Sequence, residues 1–415
     1  MNKKEKRNIL LYITGSSVSR LGSLIYSFMI GLFVLNTTGS GLKFATTLLI
    51  AFVPSLIITP FAGVFADRFD RKKIVVGMDM LNALLFLGLA FIVQLGELSL
   101  ALIYLTTFVT NILTTFFDIS FESAKPQLVD KKHLQSINSM GQIVMAATGI
   151  LGPLLGGIAY AVIDIRAFII VNAISFGVSA ISEMFIDFKY NYADRKKKET
   201  FDGVFKSMKE GYYYLKGKKS IMQFFSLFVA VSIGFNLAVQ VPLPFILNNH
   251  LGLSSSMYGI IMGVAPVGMI LGAIFVGKIT KRYTHQKLFV VLSNIVSVLI
   301  ILLGVPVIFS FLVSSVSTTF AYFSVLMLAF GIVITLFDVP LNTLLQSSIE
   351  EEYRGRAFGI LMPMIKIVSP IAYLLSGALL NVMNPFYIPL VVGIVLLVFF
   401  NSKRKLVKEE KLATA

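Results

Sequence analysis

The sequence has no cysteine, no tryptophan and only three histidines among its 415 residues. Without cysteine the chain forms no disulfides and no thiolate metal sites. His133, His250 and His285 fall in separate predicted loops without metal-ligand spacing, so we expect no metal. No hydrolytic triad or nucleotide-binding loop is apparent. We therefore expect neither an enzyme, nor a bound cofactor, nor a protein driven by ATP.

Charge is scarce too, because only 14% of the residues are charged and 56% are hydrophobic. The mean hydropathy of +0.84 is typical of a multi-pass membrane protein. Apolar runs long enough to cross about 30 Å of hydrocarbon predict twelve spans. The first run is too long for a signal-peptide core, so we expect it to be retained. The predicted spans are residues 9–35, 44–66, 74–95, 99–122, 139–162, 165–188, 220–247, 255–279, 287–309, 314–345, 357–381 and 384–401.

The excess of positive charge, +15 overall, is distributed according to topology. Of the 36 Lys and Arg residues, 32 fall on the side shared by the N-terminus, the loop at 67–73, the middle loop and the C-terminal tail. Lys43 and Arg166 fall on the other side, and Arg20 and Lys366 lie within spans. The positive-inside rule therefore predicts an inner-membrane protein with both termini cytoplasmic. Charge spread over short loops also argues against a nucleic-acid partner.

The chain carries an internal duplication. The segment "GVFADRFDRKK" from Gly63 recurs as "GKITKRYTHQK" from Gly277, and "FFDISF" at 116 recurs as "LFDVPL" at 336. The predicted fold is an all-α membrane protein with twelve transmembrane helices in two six-helix repeats around a central cavity. The predicted divisions are an N-terminal half at 1–188, a cytoplasmic linker at 189–219, a C-terminal half at 220–401 and a basic tail at 402–415.

The linker has a region of helical periodicity. Its apolar residues recur every three or four positions with lysines on the opposite face, which predicts an amphipathic helix lying along the inner membrane surface. These apolar positions are Phe201, Val204, Phe205, Met208, Tyr212 and Leu215. A merely solvated linker fits only residues 194–200.

With these features in place, the chain resembles the major facilitator superfamily. Gly63, Asp67, Arg68, Arg71 and Lys72 match the loop signature of that family, and twelve spans in two repeats cover the whole chain. The sequence departs from the signature where Asp70 replaces a usual glycine, so the turn must form without positive φ. The loop pattern, with the segments after both fourth spans, most resembles the macrolide-efflux and siderophore-export branch of drug:proton antiporters.

The loop between the second and third spans is a candidate gating latch. Its predicted members are Gly63, Asp67, Arg68, Arg71, Asp118 and Glu122. We expect Asp67 to lie against the N-terminal end of the eleventh span, near residues 355–359, where free N–H groups favour an anion. When the two halves are closed on the cytoplasmic side, Arg71 is expected to pair with Asp118 or Glu122, which lie one helical turn apart, and these contacts are expected to break on opening. The alternative is that these charges only orient the loop, and Lys72 and Lys73 need do no more.

The fifth span contains "GILGPLLGG", which partly resembles the signature of proton-driven exporters, with Thr148 in place of an earlier glycine. Small residues on one face let another helix approach closely, and Gly259 and Gly263 of the eighth span lie at matching depth. Ordinary helix packing explains the same glycines without a transport direction, so import stays open beside export. The packing motif comprises Gly149, Gly152, Pro153, Gly156 and Gly157.

Charged groups inside the membrane are costly and are functional candidates. A proton-coupled carrier needs a carboxylate that gains and loses a cation partner. The candidates are Asp118, Asp79, Glu183 and Asp338, and Asp118 is preferred because it lies inside a span and recurs in the repeat. For Asp338, a permanent contact with Lys281 and Arg282 is the preferred alternative. Arg20 is expected either to bind a substrate anion or to pair with an acid such as Glu183.

The predicted function is proton-coupled export of hydrophobic or amphipathic small molecules by a monomer in the bilayer. The chain has 36 Phe and 16 Met, which can provide large, deformable apolar walls for the cavity and so suit bulky substrates. A lipid or lysophospholipid translocator is one alternative, with Arg20 and Lys366 holding a phosphate. A non-transporting scaffold or sensor is a second, and a carrier that is facilitated or driven by the membrane potential is a third. The candidate cavity residues are Arg20, Tyr26, Asn111, Asn236, Gln240, Tyr322 and Lys366.

Overall fold

The computed structural model describes residues 1–96, 98–191, 209–210 and 212–403, and within them the regular structure is helical, without strands. Side chains at 219–220, 285–286, 346–347, 351–356, 358–360, 362–363, 365–366 and 403 lie outside this description. The first six helices are α1 Lys3–Thr38, α2 Gly41–Arg68, α3 Arg71–Leu95, α4 Leu100–Leu128, α5 Leu134–Val162 and α6 Ile165–Met184. The next six are α7 Lys219–Phe235, α8 Ser255–Arg282, α9 His285–Gly304, α10 Val316–Ser348, α11 Glu351–Leu379 and α12 Tyr387–Lys403.

These helices confirm the predicted all-α, multi-pass fold. Within the described residues, ten helical segments are long and apolar enough to cross a membrane, and the apolar stretches of α11 and α12 are shorter, at Ile367–Leu379 and Tyr387–Ser402. Every predicted span coincides with one of the twelve helices. The seventh is the least regular of them, because its segment continues beyond α7 in other helical forms.

The chain divides into two compact units. Unit 1 comprises Met1–Thr37 and Thr47–Glu199, and unit 2 comprises Thr38–Thr46 and Thr200–Ala415. The first residues of α2 thus belong to unit 2, where a Cβ on Gly377 would lie 2.5 Å from the Cβ of Ala45. The predicted domain limits at residues 188, 219 and 401 stay predictions.

The predicted amphipathic helix of the linker falls largely on residues outside the description, including Phe201, Val204, Phe205 and Met208. Residues 212–217 are helical, with Tyr212 exposed and Leu215 buried. Just beyond them, Lys218 Nζ donates a hydrogen bond to Glu350 Oε1 at 3.3 Å. That bond raises the pKa of the Lys218 ammonium.

The turn between α2 and α3 forms without positive φ at Asp70. Asp70 has φ −66° and ψ 114°, and its side chain accepts a hydrogen bond from the backbone N–H of Lys72. An aspartate in this conformation caps a helix N-terminus and satisfies one of its free donors. The expectation of a turn without positive φ is confirmed, and the departure from glycine becomes a helix cap.

The seventh predicted span is interrupted. After α7 ends at Phe235, the chain forms π-helical turns at Asn236–Gln240 and Phe245–His250, separated by Pro242–Pro244. Prolines lack the N–H of a regular helical hydrogen bond, and π-helical turns mark such interruptions. The predicted span at residues 220–247 is nevertheless present, because the helical segment Ile221–His250 is long and apolar enough to cross a membrane.

The core of unit 1 has two apolar clusters along the same helices. One contains Tyr26, Phe86 and Phe176, with Tyr26 edge-on to Phe86 at a ring-centroid distance of 4.8 Å. The other contains Tyr12, Val75 and residues of α4. On α1 and α3, residues 13–25 and 76–82 lie between these clusters. This intervening layer contains the polar groups of the candidate site.

Candidate functional site

The central charged group of unit 1 is an arginine between two carboxylates. Arg20 of α1 lies with its Nη2 atom 3.1 Å from Asp118 Oδ1 and 3.8 Å from Glu122 Oε1, both on α4. The two acids are four residues apart and therefore share one helix face. The Arg20 side chain is 21% exposed, and those of Asp118 and Glu122 are 40% and 45% exposed. The side chains are therefore partly exposed, while the paired oxygen Asp118 Oδ1 is itself buried.

A second cation completes this group. Lys125 Nζ forms an ion pair with Glu122 Oε2 and lies 5.6 Å from the centroid of the Tyr12 ring. The Lys125 side chain is only 5% exposed, and a Cβ on Gly141 would lie 2.9 Å from its Nζ atom. The charges of Arg20 and Lys125 balance those of Asp118 and Glu122. We call these four residues the charge cluster.

The structure corrects the predicted partner of Arg71. Among the described residues, the cation at Asp118 is Arg20, whereas Arg71 forms an ion pair with Asp67 at 3.0 Å. Arg71 also donates to the backbone carbonyls of Ala66, at 3.2 Å, and Ser123. Arg71 thus joins the α2–α3 turn to α4 through backbone groups. The predicted contact of Asp67 with the start of the eleventh span involves side chains outside the description and stays a prediction, as does the gating role of Gly63 and Arg68.

Lys72 has a more specific role than topology alone. Its Nζ atom donates to the carbonyl of Met184, the last residue of α6, at 2.6 Å and to that of Ile186 at 3.1 Å. The C-terminus of a helix presents unpaired carbonyls and partial negative charge, so a lysine there is stabilising. Lys73, by contrast, is exposed.

A buried polar chain crosses the middle of unit 1. The hydroxyl of Ser19 on α1 is hydrogen bonded to Asp79 Oδ2 on α3 and lies 2.9 Å from the hydroxyl of Ser179 on α6. Ser179 Oγ lies 3.0 Å from Glu183 Oε1 and 3.1 Å from the carbonyl of Gly15. Asp79 is 1% exposed and Glu183 0%. We call Asp79, Ser19, Ser179 and Glu183 the polar relay.

The two acids of the polar relay differ from those of the charge cluster in having no cation. Within the described residues, neither Asp79 nor Glu183 forms an ion pair. Arg20 thus pairs with acids, as one of the two alternatives predicted, but these acids are Asp118 and Glu122 rather than Glu183. Glycine makes room for the buried acid, because a Cβ on Gly15 would lie 3.1 Å from Glu183 Oε1.

A third group lies at the start of α1. Glu5 is 1% exposed, and its Oε1 accepts from the backbone N–H of Asp130 at 2.8 Å and lies 3.0 Å from His133 Nδ1. Its Oε2 accepts from the N–H of Asn2 at 3.0 Å. Ligand-type atoms of Glu5, Asp130 and His133 lie within 4.8 Å of one another. Because backbone donors occupy both Glu5 oxygens, the group ties α1 to the turn before α5.

Asp338, the repeat-related aspartate of unit 2, has a different partner from Asp118. Asp338 Oδ1 accepts a hydrogen bond from Asn342 Nδ2 at 3.0 Å, one turn further along α10. Lys281 and Arg282 are exposed, and among the described residues Asp338 has no ion pair with either. The expected permanent contact with these two cations is therefore wrong.

Several predicted cavity residues have partners inside their own unit. Tyr26 is 2% exposed and its hydroxyl lies 3.2 Å from Thr107 Oγ1, so burial corrects its assignment to a cavity wall. Asn236 is 8% exposed and donates to Ser369 Oγ at 3.0 Å. Tyr322 donates to the carbonyl of Leu302 at 2.5 Å, which lacks its usual helical donor because residue 306 is proline. These contacts stabilise the fold.

The remaining candidates are less constrained. Asn111 donates to the carbonyl of Thr107 at 2.8 Å, one turn back on α4, and stays partly exposed. Gln240 is also partly exposed, in the π-helical turn. The side chain of Lys366 lies outside the description. Arg20, Asn111 and Gln240 therefore stay predicted substrate contacts.

The glycine motif of α5 packs against α1. A Cβ on Gly152 would lie 2.8 Å from Leu24 Cβ, and one on Gly156 would lie 2.9 Å from Phe28 Cδ1. Gly149 has no neighbour within 4 Å, and α5 continues through Pro153 to Val162. Gly157 is buried. Close packing on α1, within unit 1, thus accounts for Gly152 and Gly156.

Sequence reasoning missed Lys125, Ser19 and Ser179. A usable signal was nevertheless present on two helices. Gly15, Ser19 and Gly22 recur at intervals of four and three residues on α1, and Ser179 and Glu183 are four residues apart on α6. Small and polar residues at helical spacing in a transmembrane segment indicate a polar helix–helix contact.

The comparisons with known proteins agree with this architecture. The family model for the Major Facilitator Superfamily matches residues 12–365 and 224–414, so the chain belongs to that superfamily. It is 24% identical over 369 residues to macrolide efflux protein A of Streptococcus pyogenes, covering 88% of this chain and 87% of the relative. It is 23% identical over 380 residues to YfiS, an uncharacterized MFS-type transporter of Bacillus subtilis, covering 91% and 87%.

A solved structure shows the same fold. A bacterial homologue of the iron transporter ferroportin, in an inward-facing state, superimposes with a TM-score of 0.69 at 17% identity, covering 97% of this chain and 100% of that one. At this identity the likeness shows the fold alone. The chain is therefore a multi-pass membrane transporter of the major facilitator superfamily, with relatives that include an efflux protein.

Proposed function

We propose that this transporter exports amphipathic small molecules from the cytoplasm in exchange for protons, by alternating access. Similarity to macrolide efflux protein A along most of both chains supports export and a bulky cargo. Proton exchange also needs a titratable group within the membrane, and the charge cluster supplies one.

The observation that carries the proposal is the placement of Arg20 against Asp118 and Glu122 in the transmembrane part of unit 1. With both acids ionised, Arg20 and Lys125 balance their charges. A proton on Asp118 leaves one unbalanced positive charge and removes the ionic part of the closer contact to Arg20. Such a site has two charge states with different preferred contacts, which is what an exchanger needs.

The same geometry weighs against a lipid carrier. A phosphate would have to compete for Arg20 with two carboxylates, one of them only 3.1 Å away. Apolar side chains dominate the spans instead, and the 36 Phe and 16 Met residues offer deformable contacts to hydrophobic cargo. We therefore place macrolides and amphipathic dyes ahead of lysophospholipids as substrates.

We further propose that the protein functions as a monomer in the cytoplasmic membrane with both termini inside. The absence of cysteine makes this orientation simple to test. Single cysteines at Ser40, Gly96 and Ser254 are expected to react with an impermeant maleimide in intact cells. Cysteines at Asp70, Lys197 and Ser402 are expected to react only after permeabilisation. Labelling of Lys197→Cys in intact cells would contradict the orientation.

The function itself is tested in proteoliposomes with an imposed pH gradient. The panel contains a macrolide, an amphipathic cationic dye and a lysophospholipid, with the membrane potential clamped and protein-free liposomes as the control. We expect accumulation of the macrolide or dye that reverses when the gradient is reversed. Gradient-independent lysophospholipid movement would favour the lipid translocator. No movement of any probe under either gradient would favour a scaffold or sensor.

A further inference from the structure

The oxygen–oxygen contacts of the polar relay determine how many hydrogens its four side chains must carry at least. Three oxygen–oxygen contacts link Asp79 to Ser19, Ser19 to Ser179, and Ser179 to Glu183. Each contact needs one hydrogen, and each serine hydroxyl has one to give. Ser179 shares its hydrogen between Glu183 Oε1 and the carbonyl of Gly15, which lies 3.1 Å away and can only accept. Two hydroxyls therefore supply two of the three hydrogens. The third has to come from a carboxyl group, so the chain is complete only when at least one of the two acids is protonated.

The surroundings of Asp79 and Glu183 favour protonation of one of these two acids. Asp79 and Glu183 are 1% and 0% exposed, and no cation among the described residues forms an ion pair with either. Two buried, uncompensated negative charges would be very unfavourable in a membrane interior. Glu183 Oε2 is buried without a hydrogen-bond partner, as are both amide atoms of Asn82, one turn along α3 from Asp79. The site therefore has unused polar atoms, and neither acid has a cation among the described residues in ion-pair contact.

We propose that Asp79 and Glu183 share one proton and exchange it through Ser19 and Ser179. In one arrangement Asp79 carries the proton and Glu183 the negative charge. Asp79 then gives its proton to Ser19 Oγ, the Ser19 hydrogen passes to Ser179 Oγ, and the Ser179 hydrogen passes to Glu183 Oε1. Both serines end with one hydrogen each, so the net change is transfer of one proton from α3 to α6.

The relay lies next to the charge cluster. Asp118 of α4 is close enough to Asp79 for a direct charge–charge interaction, and Arg20 compensates Asp118. The titratable or charged groups facing the relay are therefore Asp118 and Arg20, in addition to its own two acids. A negative charge on Asp118 favours the arrangement with the proton on Asp79, and protonation of Asp118 removes that preference. The inference deepens the proposed proton exchange, on which its role in transport rests.

The shared proton has a readout that does not depend on transport. In the full-length protein in lipid nanodiscs, infrared spectroscopy measures the carbonyl stretch of protonated carboxyl groups. The double variant Asp79→Asn/Glu183→Gln serves as the blank. We expect the wild type to exceed the blank by one carboxyl group. Asp79→Asn and Glu183→Gln should each also exceed it by one, because the remaining acid keeps the proton in the apolar surroundings.

Removing the bridge separates the two acids. In Ser19→Ala each carboxyl loses the path to its partner, so we expect the excess over the blank to rise from one carboxyl group toward two. Ser19→Thr keeps the hydroxyl and is the matched control, with an expected excess of one. Thermal unfolding of each variant checks that it is folded.

The outcomes separate this inference from the proposed function. A wild-type excess of zero means that both acids are ionised, and an excess of two that halves in each single variant means independent protons. Either result overturns the relay even if a proton gradient drives transport. An excess of one in a wild type that shows no proton-driven transport supports the shared proton and overturns the proposed exchange.

Discussion

Units 1 and 2 carry an aspartate at the same place on their fourth helices but surround it with different chemistry. Asp118 is paired with Arg20 of another helix, whereas Asp338 bonds to Asn342 on its own helix. Next to Asp338, Phe337 packs against Phe289 at a ring-centroid distance of 5.0 Å. Residues 220–249, the counterpart of the first span, contain no charged residue, so unit 2 has no equivalent of Arg20.

The third helices differ in the same way. The repeat offset of 214 residues places Ser293 of α9 where α3 has Asp79, and Ser293 is fully buried. Unit 2 instead brings two helices into backbone contact, since a Cβ on Gly331 would lie 1.9 Å from the carbonyl oxygen of Ala265. The duplicated fold therefore keeps its helices while unit 1 concentrates the intramembrane charge. We infer that unit 1 responds to protons and that unit 2 contributes mainly packing.

The largest expected effect on transport comes from replacing the repeat-related aspartates, Asp118 and Asp338. Asp118→Asn removes the group that we expect to change charge, so accumulation driven by a pH gradient should fall at least about tenfold. Exchange of substrate between equal concentrations should persist slowly, because an amide mimics one protonation state. Asp338→Asn is the matched control in the other repeat, and we expect it to retain most activity because it lacks a cation partner. Equal losses in the two variants would remove the proposed asymmetry.

The next effect concerns the cation. Arg20→Gln leaves Asp118 and Glu122 without their shared partner, and breaking a buried ion pair costs about 3–5 kcal/mol. Because the side chains of Arg20 and Asp118 are 21% and 40% exposed, we expect a loss near the lower end of that range. The double variant Arg20→Gln/Asp118→Asn should recover part of it.

Thermal unfolding in nanodiscs measures this cycle. Arg166→Gln, at the exposed start of α6, is the control for the same substitution outside the cluster and should leave the unfolding temperature unchanged. If the losses of the two single variants simply add in the double variant, Arg20 and Asp118 are not coupled. The charge cluster would then be a crowding of side chains without a shared function.

The spans and repeats were predictable because each depends on residues near one another in the sequence. Hydropathy marks a membrane helix along its own length, and the loop beginning at Gly63 recurs in unit 2. The partner of Arg20 was not predictable in this way. Asp118 lies 98 residues away, and only the rotation of α1 against α4 decides whether Arg20 or Arg71 reaches it. The break after α7 was underestimated because Pro242 and Pro244 lie in an otherwise continuous apolar run.

A smaller effect, on stability, tests the close helix packing in unit 2 against that in unit 1. Gly331→Ala places a methyl group against backbone that has no freedom to rotate away, and we expect a loss of about 2 kcal/mol in unfolding free energy. Gly152→Ala in unit 1 should cost less, since the new Cβ would lie 2.8 Å from Leu24 Cβ rather than 1.9 Å from a backbone oxygen. Gly149→Ala is the control, with nothing within 4 Å. Equal stability of all three variants would show that the close contact in unit 2 is not specific.

The smallest expected effect distinguishes two neighbouring lysines in the loop of unit 1. Lys72 contacts the carbonyls of Met184 and Ile186 at the end of α6, whereas Lys73 is exposed. A cation at a helix C-terminus contributes about 0.3–1 kcal/mol, and this contribution is screened by salt. Lys72→Ala should therefore lower the unfolding temperature slightly at low ionic strength and less at high ionic strength.

Lys73→Ala controls for the loss of one positive charge from the same loop, and its unfolding temperature should match the wild type under both conditions. The repeat sharpens the contrast, because the 214-residue offset places Gln286 where unit 1 has Lys72. Gln286→Ala is therefore expected to show no dependence on ionic strength. If Lys72→Ala and Lys73→Ala behave alike, both lysines act only through the positive-inside rule, and Lys72 does not cap α6.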